Sequence, residues 1–215
     1  MGNKISTLVR IPVGPIHIEG MLELPASAQS IVLFAHGSGS SRHSKRNNYV
    51  ARVLQRAGIG TLLMDLLTPE EDANYPVRFD IPLLTHRLLA ATKWIKTGQL
   101  TGNLPVGYFG ASTGAAAALQ AAALDEDIGA VVSRGGRPDM AGISALEAVK
   151  SATLLLVGGW DEEVLALNRE AYGYLRCTKE LVVIPGATHL FTEPGTLEEA
   201  ARQAAAWFVH HLKGA

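Results

Sequence analysis

A single cysteine, Cys177, stands among 215 residues, which leaves no partner for an intrachain disulfide and too few thiols for a cysteine-based zinc site. Nothing in the thiol content requires an oxidising compartment, so the cytoplasm is the expected setting. Also missing is any apolar run approaching the ~18 residues of a membrane span, and the first residues lack the apolar core of a signal peptide, so neither membrane insertion nor secretion is expected. The start Met1-Gly2-Asn3-Lys4-Ile5-Ser6 fits the myristoylation pattern, but a strand-like pattern begins by Lys4, and the match is read as chance. Charge of one sign is lacking too: 19 Lys plus Arg against 20 Asp plus Glu leave a net charge of −1, with no segregation by half. An extended basic face for nucleic acid is thereby excluded. No Pro- or Ser-rich linker and no repeat at solenoid periods divides the chain, so one domain over residues 1–215 is expected.

What is present is the composition of an ordinary globular protein, 47% apolar and 18% charged. Area scaling gives roughly 9,600 Å² of folded surface against about 33,000 Å² unfolded, enough burial for one large core without staples. Residues 4 to 11 and 16 to 24 read as extended runs joined by Pro12-Val13-Gly14-Pro15, an antiparallel hairpin. From residue 30 the rhythm becomes strand, loop, helix: Ile31-Val32-Leu33-Phe34-Ala35 ends at His36-Gly37-Ser38-Gly39 and is followed by a helical stretch from about 44 to 57. Further strands fall near 60 to 65, 105 to 110, 128 to 133, 152 to 158 and 180 to 185, mostly separated by helical stretches, as parallel crossovers require. That makes eight strands, six of them in crossovers. The last helix is expected to start at Thr196 in a capping box with Glu199, with Leu197, Ala200, Ala201, Ala204, Phe208 and Leu212 on the face that docks on the sheet. Residues 134 to 150 hold only about one helix's worth of chain, so the site should be fairly open.

The chemistry-bearing segment is Gly110-Ala111-Ser112-Thr113-Gly114 between a strand and an Ala-rich helix former. This G-x-S-x-G spacing puts a serine on a strained, tight strand-to-helix turn, where small neighbours let chain segments pack closely and the hydroxyl is presented outward. A serine alone is inert, and a plain helix cap would use the same residue type. Two later loops supply partners. Gly158-Gly159-Trp160-Asp161 follows an apolar strand and offers Asp161 as orienting acid, with Glu162 and Glu163 as rivals and helix capping as the bland reading. Gly186-Ala187-Thr188-His189 ends the next strand, and His189 alone of the seven histidines follows a late strand; His17, His36, His43, His86, His210 and His211 lie elsewhere. The chain order Ser112, Asp161, His189 is the one expected for triad members on successive strand ends.

Through G-A-S-T-G at 110 to 114, G-G-W-D at 158 to 161 and G-A-T-H-L-F at 186 to 191, the chain resembles the α/β-hydrolase superfamily, and its dienelactone-hydrolase-like branch in particular, over residues 4 to 213. The resemblance implies a three-layer α/β-hydrolase fold with a mostly parallel eight-stranded sheet, helices on both faces and little or no lid. It departs in one respect: dienelactone hydrolases proper carry Cys at the nucleophile, where Ser112 stands. It also implies an oxyanion hole from the backbone N–H groups of Ser38, in the H-G-x loop, and Thr113, with little role for their side chains. The activity implied is a cofactor-independent hydrolase, with no metal, acting on a small carboxylic ester, lactone or thioester through an acyl-enzyme on Ser112.

Arg42, His43, Lys45 and Arg46 cluster past the oxyanion loop, and Arg134 and Arg137 follow the strand 128 to 133. With His36, the arginines 42, 46, 134 and 137 are the substrate-binding candidates, for an anionic group on a small acyl substrate; solvated surface charge and, for His36, a loop-shaping role are the bland readings. Asp65 reads as a loop tether. Three rival functions remain: a non-catalytic ligand-binding or sensing module of this fold, an acyltransferase, and a dinucleotide site at Gly37-Ser38-Gly39, which lacks its third glycine because Arg42 occupies that place.

Overall fold

The computed structural model describes residues 4–212, so the first three residues of the acylation-like start lie outside the described residues. Eight strands form one sheet: β1 (Ile5–Val13), β2 (Ile16–Leu24), β3 (Ser30–Ala35), β4 (Ile59–Met64), β5 (Val106–Ala111), β6 (Ile128–Arg134), β7 (Ala152–Gly158) and β8 (Lys179–Ile184), in the spatial order β1-β2-β4-β3-β5-β6-β7-β8. β1 and β2 pair antiparallel, β2 joins β4 antiparallel, and every remaining pairing is parallel. The hairpin is tighter than the sequence suggests: β1 runs to Val13 and only Gly14 and Pro15 turn the chain. Pro12 is tolerated inside β1 because that strand lies on the sheet edge, where a missing N–H costs no ladder bond.

The central strands β3, β4, β5 and β7 are buried at every position, which is why they read as continuous apolar runs rather than as alternating ones. Alternate side chains nevertheless go to opposite layers. Val32, Phe34, Phe109, Leu154 and Leu156 pack with α1 (Lys45–Arg56) and α7 (Thr196–His211) on one face. Ile31, Leu33, Tyr108, Val131 and Leu155 pack on the other face with α3 (Ile81–Thr97), α4 (Thr113–Leu124), α5 (Ile143–Ala148) and the end of α6 (Glu162–Tyr174). The short α2 (Pro69–Ala73) sits in the β4–α3 connection. Among the described residues, no helix is long and apolar enough to cross a membrane.

α4 is buried almost all round, and its alanines are what allow it to lie close under β3 and β5. α7 docks on the sheet through Ala200, Ala201, Ala204 and Phe208 as expected, but its start differs. Gly195, at φ 83°, takes the N-cap position, the Thr196 hydroxyl donates back to the Glu193 carbonyl, and the Glu199 carboxylate is held by Arg202 and Gln203. The capping box expected there is instead found at α2, where Thr68 and Glu71 cap each other reciprocally.

Candidate active site

Parallel strands deliver their C-terminal ends to one edge of the sheet, and the loops leaving β3, β5, β7 and β8 meet there. Ser112 follows β5 with φ 51° and ψ −122°, a left-side conformation that costs a non-glycine residue roughly 1–3 kcal/mol and must be imposed by its surroundings. The flanking glycines permit the close approach that the turn requires. A Cβ on Gly110 would fall inside contact distance of the Ala115 backbone, and one on Gly114 would overlap the Ala35 carbonyl oxygen. The Arg134 carbonyl accepts from the Ser112 N–H at 3.3 Å, and the Ser112 carbonyl accepts from the Arg137 N–H at 3.1 Å, so the turn is pinned on the β6 side as well.

The Ser112 Oγ lies 3.3 Å from His189 Nε2, and His189 Nδ1 lies 2.7 Å from Asp161 Oδ2. Because a carboxylate only accepts, Nδ1 carries the proton toward Asp161 and Nε2 faces the serine as an acceptor. Such a placed imidazole can take a hydroxyl proton. Asp161 occupies the N-cap position of α6 yet makes no capping bond with its side chain, so its carboxylate is spent on His189 rather than on the helix. Glu162 and Glu163 point to solvent. The two loops are also tied to each other: the Trp160 N–H donates to the Ala187 carbonyl at 2.9 Å. The histidine loop is closed by Glu193, whose carboxylate accepts from the Thr188 hydroxyl at 2.7 Å and from the Thr188 N–H at 3.0 Å. Those two bonds, the hydroxyl first, hold Glu193 down to about 2 from its ordinary 4.5. Sequence reasoning missed Glu193, because nothing marks a carboxylate five residues from the tethered threonine.

Thr113 opens α4 with its N–H beside Ser112, one of the four helix-start donors that no intrahelical carbonyl satisfies. Ser38 differs from expectation: its N–H donates to the Thr113 Oγ at 2.9 Å. The Thr113 side chain is buried, needs a partner, and takes the nearest donor, so the hydroxyl ties the glycine loop to the start of α4 and the idea that this side chain matters little is corrected.

Three of the five substrate-binding candidates are placed elsewhere. His36 is buried, accepts from the Leu66 N–H at Nε2 and donates from Nδ1 to the Gly37 carbonyl, so both ring nitrogens are spent on shaping the loop; burial pushes its pKa down, keeping it neutral. Arg42 is paired with Asp65 and with Glu19 (2.7 Å), away from the serine, and Asp65 is a loop tether, as expected. Arg137 is neutralised two residues on by Asp139 at 2.7 Å. Arg46 and Arg134 do come to the serine. Together with Ser40, Ser44, Asn47 and Ser112 they line a cavity of about 220 Å³. A larger cavity of about 440 Å³, between β8 and α7, contains none of Ser112, Asp161 and His189.

Arg134 is only 7% exposed, so the surface-charge reading fails for it. Its guanidinium lies 5.8 Å from the ring centres of both Phe109 and Phe191, and its Nε and one terminal nitrogen have no hydrogen-bond partner among the described residues. Burial, with Arg46 as a second and smaller cause, pushes its pKa down to about 10. Arg46 Nε and Asn47 Oδ1 are buried and unpartnered as well. Asn47 gave no sequence signal beyond its place in the first turn of α1.

The strand order, the sharp serine turn after β5 and the acid and histidine loops after β7 and β8 define an α/β-hydrolase fold; the dinucleotide-binding order 3-2-1-4-5-6 is absent. No protein-family model matches the chain. Its structure is similar to that of a dienelactone hydrolase from Anabaena variabilis, at 53% identity and a TM-score of 0.95, covering 98% of this chain and 99% of that one. The chain belongs to the dienelactone hydrolase family. The esterase Est1E from Butyrivibrio proteoclasticus shares the fold alone, at 16% identity and a TM-score of 0.81 over 95% of this chain and 98% of that one. Proteins named as phosphoribosyl transferases in two strains of Mycobacterium tuberculosis are 56% identical over 207 residues, which is 96% of this chain but 46% of each of them. The chain thus spans less than half the length of these curated relatives.

Proposed function

We propose that the protein is a serine hydrolase that cleaves a small carboxylic ester, lactone or thioester through an acyl-enzyme on Ser112. The observation that carries the reading is the continuous relay from Ser112 Oγ through the His189 ring to Asp161, at 3.3 and 2.7 Å, assembled from three loops at one sheet edge. His189 Nε2 takes the hydroxyl proton as Ser112 Oγ attacks the acyl carbonyl, and Asp161 fixes the ring tautomer and offsets the charge of the imidazolium. The tetrahedral oxyanion sits against the Thr113 N–H and the Ser38 N–H, the latter turning from the Thr113 hydroxyl toward the new charge. Collapse expels the alcohol or thiol, which receives the proton from His189; water, deprotonated by the same ring, then releases the acid.

His189 is 37% exposed through its side chain, so water reaches the ring, which favours hydrolysis over transfer to another acceptor. Trp160 and Leu190, both exposed beside the acid and the histidine, supply an apolar rim for the organic part of the substrate. The cytoplasmic setting and a small-molecule partner rather than nucleic acid belong to the same proposal. More than half of each Mycobacterium relative lies outside the matched segment, so their phosphoribosyl transferase name is not carried over to this chain.

Turnover of p-nitrophenyl acetate by the purified protein and by Ser112→Ala tests the reading. Loss of turnover in a variant with unchanged circular dichroism is expected, and undiminished activity would refute it.

A further inference from the structure

Three side chains that carry buried polar atoms without partners among the described residues line one cavity at Ser112: Arg46 (Nε) and Asn47 (Oδ1, an acceptor) on α1, and Arg134 (Nε and a terminal nitrogen) at the end of β6. Buried polar groups are otherwise almost always paired, and a buried guanidinium without a carboxylate is rarer still. Elsewhere the arginines Arg42, Arg78, Arg87 and Arg137 each have their acid. Here the cavity wall includes no Asp or Glu, while it includes two guanidinium groups, the Ser40 and Ser44 side chains and the first turn of α1, whose amino end carries a further partial positive charge. Phe109 and Phe191 hold the Arg134 plane without using any of its five N–H donors.

We infer that this cavity is an anion subsite for a phosphate monoester borne by the acyl substrate, with Arg134 and Arg46 as its ligands and Ser112 at its floor. The inference rests on the hydrolase reading for the word substrate, but not for the binding itself. Charge decides between anions. A carboxylate offsets one of the two arginines and leaves the other unpaired, whereas a phosphate monoester carries about −1.5 to −2 near pH 7 and three acceptor oxygens, matching both forks and the end of α1. With a water-sized share of about 30 Å³, the 220 Å³ cavity has room for such a group together with a short acyl chain reaching Ser112.

The test is equilibrium titration of the intact protein with inorganic phosphate and, separately, with acetate at matched ionic strength. Phosphate is expected to bind more tightly than acetate, and Arg134→Gln to weaken phosphate roughly 10- to 100-fold, the range for hydrogen bonds to charged groups. Arg46→Gln, at a partly buried position on the first turn of α1, should weaken it about tenfold or more. Absent phosphate binding, equal binding of acetate, or unchanged phosphate affinity in folded Arg46→Gln overturns the subsite. Because this readout needs no turnover, it fails or succeeds separately from the hydrolase reading. Where p-nitrophenyl acetate is turned over, phosphate should inhibit competitively; binding without inhibition would place the anion away from Ser112 and also overturn the inference.

Discussion

Replacing Asp161 by Asn keeps the shape of the side chain and removes one charge. The structure says what should follow. Asp161 Oδ2 accepts from His189 Nδ1 at 2.7 Å, and no backbone N–H of α6 depends on that side chain. An amide in its place can turn its NH₂ toward Nδ1, which moves the ring proton to Nε2, where it faces the Ser112 hydroxyl as a donor instead of an acceptor. The general base is then lost while the fold is kept. Where this arrangement has been disrupted in serine hydrolases the loss in kcat is on the order of 10⁴, or about 5.5 kcal/mol at 1.36 kcal/mol per decade. The stability change should stay below about 1 kcal/mol, since neither a helix cap nor a packed apolar group is removed. Steady-state kinetics on p-nitrophenyl acetate, paired with urea melts, reads both numbers. A loss under tenfold would refute the orienting role, and a large loss of stability with modest kinetic change would restore the capping reading of Asp161.

Gly114→Ala pushes a methyl group into the Ala35 carbonyl, so a loss of about 1–3 kcal/mol or more is expected in denaturant melts, with turnover falling because the Ser112 turn is displaced. Thr113→Val removes the acceptor that holds the Ser38 N–H; a destabilisation of about 1 kcal/mol, with kcat changed less than tenfold, is expected from thermal melts and kinetics. Glu193 has a folded pKa below its unfolded one, so its tie to Thr188 contributes stability above about pH 4.5 that fades as pH falls toward 2. The melting difference between the protein and Glu193→Gln should be largest near neutrality and shrink over that acid range; a difference independent of pH would contradict the assignment.

The sheet was legible because parallel crossovers leave a strong signal: apolar runs such as Leu154 to Val157 are bounded by glycine loops, and the three chemistry-bearing loops each follow such a run. The same regularity puts Ser112, Asp161 and His189 at one edge of the sheet. Arginine roles were not legible. Arg42 and Arg46 stand four residues apart, yet one meets Asp65 and Glu19 across β2 and β4 while the other turns inward, and only tertiary pairing separates them. For Arg137 the sequence does carry a local signal, Asp139 two residues on. The capping pattern misled at Thr196 because Gly195 accepts a left-handed conformation and takes the cap position, whereas Thr68-Pro69-Glu70-Glu71 carries the same pattern with a proline at the first helical position.

Whether Ser112 is a nucleophile at all is decided most directly by reacting the native protein with a fluorophosphonate probe and mapping the adduct by mass spectrometry. One equivalent of label on the peptide containing Ser112, lost in His189→Ala, is the predicted result. A folded protein that stays unlabelled, or carries the label on another residue, would contradict the account.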